Sequence, residues 1–95
     1  MQFEWDEAKD RANRAKNGIG FDEAAQVFAS DYVLRPARPG SDGELRWKLI
    51  GPLKRNLIAT IIHTDRNGRI RIISARPAKG KEREIFYGTY RTRES

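Results

Sequence analysis

The chain has 95 residues, 19 Lys and Arg against 13 Asp and Glu, and a formal charge of +6; that length fits one domain over residues 1–95, and that charge favours a polyanionic or acidic partner. Cysteine is absent and histidine occurs once, which excludes disulfides and thiolate metal sites, and no His/carboxylate cluster stands at ligand spacing, so the chain reads as free of metal and cofactor. No apolar run approaches the roughly 20 residues of a bilayer span, and the opening segment lacks the shape of a signal peptide, which predicts a cytoplasmic protein without membrane contact.

Phe3-Glu4-Trp5 alternates apolar and polar residues and reads as a short strand. Asp6 is a good N-cap for a following helix, in which Trp5, Ala8, Ala12, Ala15 and Ile19 recur at helical spacing and Asn17-Gly18 forms the stop. Phe21, Ala24, Ala25 and Phe28 mark a second, short amphipathic helix with Asp22 and Glu23 in its first turn. An extended segment begins at Tyr32, and Pro36, Pro39, Gly40 and Gly43 make a loop. Glu44 to Ile50 alternates as a half-buried strand that Gly51-Pro52 ends, Asn56 to Thr64 reads as a central strand, and Asn67-Gly68 marks a hairpin leading into a strand from Arg69 to Arg76. Residues 81–90 form a last helix, and the tail from Arg91 to Ser95 is expected to fray. The order predicts an α+β fold, an antiparallel β-sheet meander with the helices packed on one face.

Strand alternation turns this pattern into chemistry. If Leu45, Trp47, Leu49, Ile70 and Ile72 face the helices, then Arg46, Lys48, Arg69 and Arg71 share the opposite face. Four cations there would bind phosphates and repel one another without an anion between them. The plainer reading is a solvated polar face. Arg76 and Arg83, in the charged corner from strand end to helix start, are also suited to stabilising charge on a phosphorane. His63, with an ordinary pKa near 6.5, is the natural proton shuttle, although a lone His is commonly structural. Glu82 is either a second proton-transfer candidate or simple helix-dipole chemistry. Lys16, with Arg11 and Arg14, forms either a solvated helix face or one wall of an RNA groove. Tyr87 and Tyr90 either pack or stack on a base; Trp5 and Trp47 read as core.

Phe3-Glu4-Trp5-Asp6-Glu7-Ala8-Lys9 and the stretch from Asn13 to Phe28 resemble, in order, the F-E-W-D-E-x-K opening and the N-x-x-K-H-G-[VI]-[SD]-F and F-x-E-A-x-x-V-F segments of the BrnT toxin family. Arg46 to Gly51, His63-Thr64, Arg69 to Arg76 and Lys81-Glu82-Arg83-Glu84 resemble its R-x-x-x-I-G, H-T, R-I-I-S-A-R and R-E-R elements. The resemblance implies a RelE-like fold, RNA cleavage that halts translation, and a BrnA-type antitoxin carrying a ribbon-helix-helix domain. It further implies a toxin–antitoxin hetero-oligomer that represses its own operon, touching operator DNA only through the antitoxin. Three positions depart from the pattern. Asn17 replaces the usual His, so acid–base chemistry at that position is lost. Gly20 replaces a capping Ser or Asp. Lys79 replaces the Ser or Thr of a capping box before Glu82, which predicts a loosening of the last helix start by about 1 kcal/mol.

The mechanism expected from these residues uses the RNA 2′-hydroxyl as nucleophile and needs no metal. Arg46, Lys48, Arg69 and Arg83, with Lys16, bind RNA; Arg71 and Arg76 stabilise the transition state; His63 or Glu82 transfers the proton. Arg71→Ala and Arg76→Ala are expected to abolish toxicity with melting temperatures within a few degrees of wild type. The rival readings are a non-catalytic basic module that holds an antitoxin or RNA, and a DNA-binding regulator. The latter lacks a helix-turn-helix or ribbon-helix-helix signature in this chain.

Overall fold

A computed structural model describes residues 1–54 and 56–94. The elements run β1 (Phe3–Glu4), α1 (Glu7–Asn17), α2 (Phe21–Val27), β2 (Val33–Pro36), β3 (Trp47–Lys54), β4 (Leu57–Arg66), β5 (Arg69–Pro77) and α3 (Gly80–Glu94). They build one five-stranded sheet in the order β1-β5-β4-β3-β2. Strands β2 to β5 form the antiparallel meander the turns predict, and β1 adds a parallel pair with β5, Phe3 opposite Ile70.

Local chemistry explains the boundaries. Asp6 caps α1 by accepting from the N–H groups of Ala8 and Lys9, and Gly18 ends it in the left-handed conformation at φ 74°. Asn67 and Gly68 both have positive φ, 52° and 81°, as a two-residue hairpin turn demands. Two expectations need correction. Strand β3 continues through Gly51-Pro52 to Lys54 because β2 pairs only with Trp47 to Ile50, so Pro52 breaks no ladder on that side. Helix α3 holds helical backbone to Glu94 rather than fraying from Arg91; Ser95 lies outside the described residues.

The helices do not share one face of the sheet. Leu49, Ala59, Ile61, Ile72 and Ala75 meet α2 and the α1–α2 corner through Ile19, Phe21, Ala24, Val27 and Phe28. The other face carries a second core, in which Phe86 of α3 packs on Val33, Ile50 and Ile58. Neighbours on a strand point to opposite sides, so Leu49 and Ile50 enter different cores and α3 covers the side away from α1 and α2. Gly51 is the closest approach in the first core: a Cβ there would lie 2.9 Å from Val27 Cγ1.

Helix α1 inverts the expected amphipathic stripe. Ala8, Ala12 and Ala15 are exposed, whereas Asp10 and Asn13 are buried. The Asn13 side chain donates to the carbonyls of Ile19 and Ala75 and accepts from the Ala75 N–H, while Asn17 donates to Asn13 and to the Ala75 carbonyl. Strand β1 is too short to pair with this part of β5, and the two amides take the place of a neighbouring strand. Asp10 accepts from the N–H of Phe21 at 2.8 Å and Glu23 from that of Gly20, which supplies the cap that Gly20 lacks.

Candidate functional site

The face that α3 only partly covers is ordered in rows. Thr60 of β4 lies opposite Arg76 of β5 and Ile50 of β3; Ile62 lies opposite Ser74 and Lys48; Thr64 lies opposite Arg71. Lys48 in turn faces Arg35 on β2, and Arg71 faces Glu4 on β1. A β-bulge makes this set possible. Ile62 pairs with Ser74 but His63 pairs with Ile72, so Ile73 is the extra residue. It resets the alternation, and Ser74 and Arg76 join Arg71 on the same side.

At the centre stands Glu82, in the first turn of α3 and buried at 5% exposure. Arg76 grips its carboxylate with both terminal nitrogens, at 2.7 and 2.8 Å. Thr60 Oγ1 donates to it at 2.9 Å, the backbone N–H of Lys79 at 2.8 Å, and Lys48 Nζ lies 3.0 Å away. Hydrogen bonds from Arg76 above all, outweighing burial, hold this carboxyl far below the usual carboxylate range, and the same contact raises the pKa of Arg76. The bond to Lys79 is half of a capping box, so α3 keeps a cap without the expected Ser or Thr.

Cations and carboxylates alternate over the rest of the face. Arg71 Nη1 donates to Glu4 Oε2 at 2.8 Å. Glu44 lies between Arg66, at 3.0 Å, and Arg46, at 3.9 Å. This corrects the predicted hollow of four unneutralised cations: Arg46 precedes β3 and leans on the 40–44 loop, where a Cβ at Gly40 would lie 3.0 Å from its Nη2. Arg69 is exposed at the head of β5, and neither it nor Arg35 has a carboxylate partner among the described residues. What converges is narrower, Lys48 and Arg76 on one carboxylate, with Arg71 two rows away.

Other candidates lie elsewhere. His63 is 6% exposed on the α1–α2 side, its ring packed edge-on against Phe28 with centroids 4.9 Å apart. Burial pushes its pKa down. The sheet separates it from Arg71, Arg76 and Glu82, so it is no shuttle for them. Lys16 is exposed on α1, also beyond the sheet. Arg83 turns back to donate to the Ala78 carbonyl at 2.8 Å. Tyr90 packs on Phe86 and donates to the Tyr32 carbonyl, whereas Tyr87 stays 42% exposed. Sequence reasoning missed Thr60, Arg35, Glu4 and Glu44. Alternation with Ile62 was a usable signal for Thr60; Glu4 reaches the face only through the parallel pairing of β1.

Among the described residues no group of three or more His, Asp or Glu is placed to hold a metal ion, and no helix is long and apolar enough to cross a membrane. The described residues thus form a mixed sheet whose cationic face is clasped by a helix-start glutamate. The family model described as "Ribonuclease toxin, BrnT, of type II toxin-antitoxin system" matches residues 5–82, and the chain belongs to the BrnT family. Among solved structures it is similar to the ribonuclease toxin BrnT of Brucella abortus. The TM-score is 0.63 at 27% identity, over 83% of this chain and 97% of that one. Comparison with curated proteins gives no match.

Proposed function

We propose that this BrnT toxin is a RelE-like, metal-independent endoribonuclease that cuts RNA in the cytoplasm and halts translation. The observation that carries the reading is the convergence of Lys48 and Arg76 on Glu82, on the face that also presents Arg71. Two cations around one carboxylate leave a net positive charge beside an open sheet surface, where a phosphodiester can lie. The 2′-oxygen of the RNA attacks phosphorus, the 5′-oxygen leaves, and a 2′,3′-cyclic phosphate and a 5′-hydroxyl result. The proton of the 2′-hydroxyl passes to solvent base, and water returns one to the departing oxygen. Arg76, Lys48 and Arg71 stabilise the charge that grows on the phosphorane.

The toxin is neutralised by a BrnA-type antitoxin with a ribbon-helix-helix domain, and the hetero-oligomer represses its operon, reaching operator DNA through the antitoxin. The charge of +6 suits an acidic antitoxin segment laid over this face. Purified protein incubated with RNA in EDTA is expected to yield fragments ending in a cyclic phosphate, and none from the 2′-deoxy analogue. Intact RNA at micromolar protein would favour the rival, a basic module that only holds RNA or antitoxin.

A further inference from the structure

The geometry points to Glu82 as a positioning residue, whose carboxylate holds the Arg76 guanidinium and the Lys48 ammonium together on one face of the sheet and takes no proton itself. This rests on the ribonuclease reading above and assigns that site a part no motif supplied. A carboxylate has about four lone-pair positions. Here Oε1 accepts from Thr60, Arg76 and Lys79, and Oε2 from Arg76 and Lys48. To act as a base, Glu82 would first have to release one of these charge-assisted bonds.

Its position explains what the clamp does. The donors come from β3, β4, β5 and the turn into α3, so one buried anion fixes four segments relative to one another. Arg76 and Lys48 stand on strands separated by β4 and would otherwise repel and swing apart into solvent. With Oε2 between them, Arg76 Nη2 at 2.8 Å and Lys48 Nζ at 3.0 Å face the same point. Positioned cations act mainly on the transition state, because a phosphorane carries more charge than the ground-state diester.

That leads to an opposed pair of effects. Removing the carboxylate charge adds one positive charge to the face, so RNA binding should hold or tighten. Loss of the fixed geometry should lower turnover, on the order of 100-fold for a misplacement near 1 Å. The experiment is steady-state and single-turnover RNA cleavage by wild type, Glu82→Gln and Glu82→Asp, across pH 5 to 9, with rates normalised to the folded fraction from circular dichroism. Glu82→Gln is expected to lose about 100-fold in kcat, with KM unchanged or lower and the pH–rate slope of wild type, and Glu82→Asp to recover part of the loss. A wild-type kcat per folded molecule in Glu82→Gln would overturn the clamp. So would loss of an acidic limb that wild type shows, since that marks a proton acceptor. If Glu82→Gln does not fold, Glu82→Asp decides: reduced kcat at unchanged KM supports the clamp, and wild-type kcat refutes it. Absence of cleavage by wild type would instead remove the ribonuclease reading, and the clamp with it.

Discussion

Arg71 and Arg76 stand on the same face of β5 although their offset in sequence is odd. The extra residue at Ile73 resets the strand's alternation between them. Deleting Ile73 should therefore send Arg76 toward the α1–α2 layer or pull Ala75 out of its core. The deletion variant is expected to lose RNA cleavage and show a broadened unfolding transition by circular dichroism. Ile73→Val, which keeps the residue count, should retain both. Wild-type cleavage by the deletion variant would exclude a role for the bulge.

The two arginines should differ in what they do for stability. Arg71 and Glu4 are both about a quarter exposed, and such a pair contributes at most about 1 kcal/mol. Arg76 binds a carboxylate that is 6% exposed, and removing it strips Glu82 of its bidentate partner. With Lys48, Thr60 and Lys79 still present, and with Arg76 itself partly solvated, the loss should be about 2 kcal/mol. Thermal melts should show Arg71→Ala within a few degrees of wild type and Arg76→Ala lower by about 10 °C. The sequence-based expectation of equal, small shifts does not allow for this buried partner. Both variants should lose cleavage.

His63 should matter to stability and not to catalysis. Burial lowers its pKa in the folded chain, so as pH falls below about 6.5 the unfolded chain takes up the proton first. Stability should then decline with falling pH until the folded-state pKa is passed. His63→Phe keeps an aromatic ring against Phe28 and cannot titrate. Its denaturant midpoint should lose that pH dependence relative to wild type, while RNA cleavage persists. Loss of cleavage in a folded His63→Phe protein would return His63 to the mechanism.

Asn13 satisfies two carbonyls and one N–H that have no other partner strand. Asn13→Ala removes the side-chain partner of the Ile19 carbonyl and the Ala75 N–H, while Asn17 still donates to the Ala75 carbonyl, at a cost of about 2–3 kcal/mol. Chemical denaturation measures the loss, and amide exchange at Ala75 should accelerate in the same variant.

Features set by neighbouring residues were readable in the sequence: the Asp6 cap, the Gly18 stop, the Asn67-Gly68 hairpin and the strands they bound. The buried face of α1 was not, because apolar periodicity marks Ala8, Ala12 and Ala15 while Asp10, Asn13 and Asn17 turn inward to serve backbone groups. The side of the sheet taken by α3 was also hidden, since it depends on which of Leu49 and Ile50 each helix meets. For the candidate site, alternation placed Lys48 and Arg71 on one face, and the charged corner from the end of β5 to the start of α3 drew notice to Arg76 and Glu82. The carboxylates that answer these cations are Glu4 and Glu82, and of these only Glu82 is close in sequence to the arginine it binds. The side on which His63 lies follows from the core that forms around Phe28, which strand alternation does not specify.

The face itself can be mapped with a 2′-deoxy oligonucleotide that binds but cannot be cut, followed by backbone amide shifts in NMR titration. Shifts should cluster at Lys48, Thr60, Ile62, Arg71 and Arg76, with Ala12 to Lys16 unmoved. A footprint centred on Lys16 and the outer side of α1, leaving Lys48 and Arg76 unperturbed, would place RNA on the wrong side of the sheet for the chemistry proposed.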